Sequence, residues 1–155
     1  MAAVVAAIGA AFLAGAIALF REHRQQQRHL LVAARVMHSS FGVAYQSIRT
    51  TLEADEWAVF NSVPGQASFS MAWETYKGDL GGHLAWSEWR KVEAVASGYM
   101  ALTAISQEEQ PRKSENVLGE VRDALLVGRE VLLPYCATRL SIWMVLRRSL
   151  EARKS

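Results

Sequence analysis

The side chains with the widest chemical repertoire are four histidines, one cysteine and a scatter of carboxylates. His23, His29 and His38 are spaced six and nine apart. A helical metal pair needs ligands three or four residues apart, on adjacent turns of one face, so this spacing holds no metal. His83 follows two glycines at a helix start, where a structural or solvated role is the ordinary one. Cys136 has no His or acid beside it in sequence to lower its pKa, and a lone cysteine in an apolar stretch is read as a small core residue. No Walker loop, dinucleotide fingerprint or G-x-S-x-G elbow occurs. The sequence therefore assigns no catalytic residue, no metal site and no cofactor.

Two acidic pairs, Asp55 with Glu56 and Glu108 with Glu109, are adjacent in sequence and so diverge by about 100° on a helix. Neither forms an acid/base couple. Glu74, Asp79, Glu88 and Glu93 flank the densest aromatic stretch, Trp73, Tyr76, Trp86 and Trp89. If any pocket exists, Trp73, Tyr76, Trp86 and Glu88 are the residues expected to line it. The competing expectation is that these rings, at helical spacing, form core.

The element that positions everything else is the run Ala2 to Phe20, nineteen residues without a charged or strongly polar side chain. As a helix it measures about 28 Å, close to the hydrocarbon thickness of a bilayer. A secretory signal opens with basic residues and carries a shorter apolar stretch; here no Lys or Arg stands before the run, and Ile17 to Phe20 continue it past the small pair Ala14 and Ala16. A buried helix of a soluble domain rarely goes so far without a solvated face. The run reads as an uncleaved transmembrane anchor. Within it Ala3, Ala7, Ala11 and Gly15 recur every four residues, a small-residue stripe of the kind that packs helices in lipid.

Arg21, Arg24, Arg28 and Arg35 follow the run directly, and cationic residues at the end of a span favour the cytoplasmic side. The expected topology is a single pass in a cell inner (plasma) membrane, amino terminus out and the remaining chain cytoplasmic. Arg21, Arg24 and Arg28 are placed to meet lipid headgroups. A balance of 17 basic and 15 acidic side chains, net charge +2, excludes the concentrated positive face of a nucleic-acid binder. An excess of Arg over Lys, thirteen to four, with abundant Ala, suggests a bacterial source of high GC content.

Beyond the anchor (1–20), residues 21–155 form one cytoplasmic helical domain: a stalk helix over about 21–54 and a bundle over about 55–155. The fold class is all-α, with about four helices in the bundle. Leu30, Ala34, Met37, Phe41, Ala44, Ile48 and Leu52 make one apolar stripe along the stalk. Phe69, Trp73, Tyr76 and Leu80 predict a second helix over about 68–80, ended by Gly78, Gly81 and Gly82. A third starts at Trp86, capped by Ser87, and carries Trp89, Val92, Ala96, Tyr99, Leu102 and Ile105. Ser114 caps a fourth with Leu118, Val121, Leu125 and Leu132, and Pro134 ends or kinks it. A last helix carries Leu140, Trp143, Met144 and Leu150. Val131 to Leu146 is apolar but short, and holds Pro134 and Arg139, so it reads as domain core rather than a second span.

Together these features predict a non-enzymatic, membrane-anchored interaction or accessory protein. Its partners are membrane lipid and either a second copy or another membrane protein of an inner-membrane assembly. The alternatives are a tethered sensor or enzyme with a site among the aromatic and acidic residues, and a secreted helical protein if the run is cleaved.

Overall fold

The computed structural model describes the backbone of residues 2–54, 65–105 and 115–136, with side chains from 13, 67 and 116 onward in each segment. These segments are all-α. α1 spans Ala2–Ala54, α2 Gly65–Gly81, α3 Trp86–Thr103 and α4 Glu115–Leu132, followed by a 3-10 turn at Leu133–Cys136. The capping expectation at Ser114, the last helix beyond Cys136, and Trp57 and Trp143 lie outside the described residues.

α1 is continuous because nothing in it interrupts: there is no Pro, and its glycines are single. At about 1.5 Å per residue its 53 residues measure roughly 80 Å. Its two halves differ. Every residue from Leu13 to His29 is exposed, whereas Leu30, Ala33, Ala34, Met37, Phe41, Ala44 and Ile48 are buried. The apolar stripe thus finds its partner within the same chain: α2, α4 and the 3-10 turn all pack on α1, while α3 closes over α2 and α4. What the sequence presents as a stalk is, from Leu30 on, the central helix of the bundle, and the freestanding part ends near His29.

α2 contributes Phe69, Trp73 and Leu80, with Tyr76 partly covered. α3 contributes Val92, Val95, Ala96, Tyr99 and Leu102. Phe69 lies between Phe41 and Tyr99, at ring-centroid distances of 5.6 and 4.6 Å. Burial raises the Tyr99 phenol to about 12, so it stays neutral at any physiological pH. α3 is capped differently from the sequence expectation. Ala85, not Ser87, is the N-cap, and the Glu88 carboxylate accepts a hydrogen bond from the Ala85 backbone N–H at 3.2 Å, the return half of a capping box. α4 ends at Leu132, two residues before Pro134, and its Leu118, Leu125 and Leu132 are buried.

At Gly128, α4 lies tightly against Phe41 of α1 and Val95 of α3. A Cβ there would lie 2.9 Å from Phe41 Cε2 and 3.2 Å from Val95 Cγ1, closer than packed carbons allow. Gly128→Ala is therefore expected to destabilise the bundle by about 1–3 kcal/mol from overpacking, although Ala is the better helix former by about 1 kcal/mol. Urea unfolding of the two proteins measures the difference, and a Phe41→Leu background recovers part of the loss.

Candidate functional site

Three regions bear on function: the exposed arm of α1, the aromatic stretch, and a cleft where α4 meets α1. The arm begins where the sequence places the anchor. Leu13, Ile17, Leu19 and Phe20 are 67, 47, 69 and 57% exposed, with no bundle residue covering them. A Cβ built on Gly15 would meet nothing within 4 Å, so that side of the helix is open; the side chains of Ala3, Ala7 and Ala11 fall outside the described residues. Arg21, Arg24 and Arg28 are all exposed, and the Arg24 guanidinium sits 4.7 Å from the centre of the Phe20 ring. Among the described residues no helix is long and apolar enough to cross a membrane. Described side chains begin at Leu13, so the apolar stretch they include runs only from Leu13 to Phe20.

The aromatic residues expected to share a pocket are dispersed. Trp73 is 4% exposed and stacks on Trp89, with centroids 5.5 Å apart and planes 6° from parallel, while Trp86 is 70% exposed at the first position of α3. The Trp89 ring lies over Gly81 at the end of α2, 3.5 Å from where a Cβ would stand. The Glu88 Oε2, which caps α3, also accepts a hydrogen bond from the Tyr135 hydroxyl at 2.6 Å. That bond ties the start of α3 to the 3-10 turn. The acidic residues do not converge either. Glu74 pairs with Lys77 one turn along, and Asp79 faces His29 across 3.9 Å.

Cys136 donates through Sγ to the Leu132 carbonyl at 3.3 Å, and its own carbonyl accepts from Arg35 Nε at 3.0 Å. Burial pushes its thiol up, against a smaller opposing effect of Arg35, so it is no activated nucleophile. Among the described residues no three His, Cys, Asp or Glu side chains gather closely enough to hold a metal.

The cleft was not legible beforehand. It has a volume of about 640 Å³ and is lined from α1 by His38, Gln46, Ser47 and Thr50 and from α4 by Arg129. Arg129 reaches over Gly42, where its guanidinium carbon would lie 3.5 Å from a Cβ. Burial lowers the pKa of His38, and the Arg129 charge lowers it further. The native protein therefore binds this proton less readily than the unfolded chain, whose histidine titrates near 6.5. The contribution is present above that value and is lost as pH falls through the lower native pKa. Thermal unfolding of the wild type should show a decline below about pH 6.5 that His38→Gln reduces.

In class, the described chain is a small α-helical bundle built around one long helix that projects beyond it. Comparison with protein-family models, with curated proteins and with solved structures finds no match for this chain. The functional reading rests on the residues themselves.

Proposed function

We propose that the protein is a single-pass, membrane-anchored accessory protein whose bundle is carried on the cytoplasmic side of an inner membrane and serves association rather than catalysis. The observation that supports this most is the projecting arm of α1. An exposed helix bearing Leu13, Ile17, Leu19 and Phe20 is unfavourable in water by about 25 cal/mol per Å² of apolar surface. Lipid removes that cost. In sequence the same run extends back to Ala2 without a charge, giving nineteen residues in all. Arg21, Arg24 and Arg28 then lie at the headgroup level, where each contributes about 1 kcal/mol against an anionic surface and favours the cytoplasmic side.

The stripe Ala3, Ala7, Ala11 and Gly15 is the surface for a second copy or another membrane helix, since small residues let backbones approach closely in lipid. Crosslinking in native membranes followed by mass analysis tests this. A homo-oligomer or a defined complex is expected, and bulky substitutions such as Ala7→Leu with Ala11→Leu should reduce it. Recovery solely as a monomer, unchanged by those substitutions, would count against association.

A further inference from the structure

We infer that the cleft between α1 and α4 is a binding site for a small free oxyanion, a carboxylate or phosphate group held by the Arg129 guanidinium and the Ser47 hydroxyl. The two residues share an unusual condition. Ser47 is 5% exposed and its Oγ is buried without a hydrogen-bond partner among the described residues; Arg129 Nε is likewise buried without one. Buried polar groups are nearly always paired, because one left unpaired has given up its water without a replacement. Here the two residues that carry such atoms line one cleft.

Both are donors. An arginine and a hydroxyl in the lining of one cleft, neither with an acceptor, are complementary to an oxyanion that takes the Nε–H and the hydroxyl proton together. No carboxylate among the described residues forms a salt bridge with Arg129. Its charge is felt instead at His38, which it helps to keep neutral. The cleft thus has a net positive lining. The guanidinium lies against α1 at Gly42. Gln46, on the exposed rim, adds further donors for a ligand that is larger than one acid group.

Distance separates the two sources of such a group. From Phe20 to His38 the helix rises about 27 Å, several Debye lengths at physiological salt. A headgroup at the end of the apolar run does not reach the cleft, so the ligand is soluble. This last step rests on the proposed anchor; the site itself does not.

The test is a titration of the full chain in neutral detergent micelles, followed by NMR through the backbone N–H resonances of the cleft residues Gln46 and Thr50 and, in the wild type, the Arg129 Nε–H resonance. The probes are inorganic phosphate, succinate, and chloride at matched ionic strength, with phosphatidylglycerol added to the micelles in a separate arm. A saturable shift with phosphate or succinate, absent with chloride, is expected. Arg129→Gln should lower the affinity by about tenfold or more, and Ser47→Ala by about three- to tenfold. Ser47→Ala also provides a control for folding, because it removes an unpaired buried hydroxyl and should leave the ligand-free melting temperature unchanged or raised. Three results would overturn the inference: no saturable shift with either oxyanion, an equal response to chloride, or unaltered affinity in a folded Ser47→Ala protein. A response to phosphatidylglycerol alone would overturn the assignment to a soluble ligand while leaving the anchor proposal standing.

Discussion

Phe41→Ala should destabilise the bundle by about 3–5 kcal/mol, the range for removing a fully buried aromatic side chain. Phe41 has no exposed surface, packs its ring on Phe69, and lies against the glycine that brings α4 onto α1. Truncation thus opens a void at the junction of three helices. Domains of this size have about 5–15 kcal/mol of stability in total, so the loss is a large fraction of it. Urea unfolding should show a lowered midpoint with an unchanged slope if the remaining fold is intact. Phe41→Leu, which retains most of the volume, should cost distinctly less. An effect below about 1 kcal/mol for the alanine variant would mean that α1 is not the centre of the bundle.

Leu13→Arg should release the protein from membranes while leaving the bundle as stable as before. A central arginine costs about 2.5–3.5 kcal/mol in an inserted helix, equivalent to roughly a hundredfold in partitioning. Leu13 lies near the middle of the apolar run and is 67% exposed on the arm, so it makes no bundle contact whose loss would confuse the result. Flotation of full-length protein on vesicles measures the first effect, and the melting temperature measures the second. Equal flotation of both proteins would argue that the arm is not inserted. A lowered melting temperature with Leu13→Arg would place the arm against the bundle instead.

Much of the architecture was legible because it is written in local periodicity. Leu30, Ala34, Met37, Phe41, Ala44, Ile48 and Leu52 recur at steps of three and four; the first six are buried and Leu52 is partly covered. Gly81 and Pro134 mark the helix ends close to where α2 and α4 stop. The tertiary features were less legible. Periodicity shows that the α1 stripe is covered but not by what, so its bundle half was read as part of a stalk. Trp86 fits the α3 pattern by spacing, yet it stands at the helix's first position, beyond the reach of α2. Sequence proximity groups Glu88 with the tryptophans, whereas its contact with Tyr135 joins residues 47 apart in sequence.

The cleft was missed for a similar reason. Arg129 reads as an ordinary basic residue in the last turn of a helix, and Ser47 as a tolerated polar residue in another. Only the packing of α4 on α1 makes one condition of the two. The signal that existed was weak: Ser39, Gly42, Gln46 and Thr50 form a small and polar strip beside the apolar stripe. Such strips are usually just a solvated face.

The central claim is that the apolar opening of α1 is lodged in lipid and carries the bundle with it. Washing native membranes with alkaline carbonate tests it most directly, using the full-length chain and following its carboxy-terminal part by immunoblot. The protein should sediment with the membrane fraction after the wash. Its quantitative release into the supernatant as intact full-length chain would contradict the account.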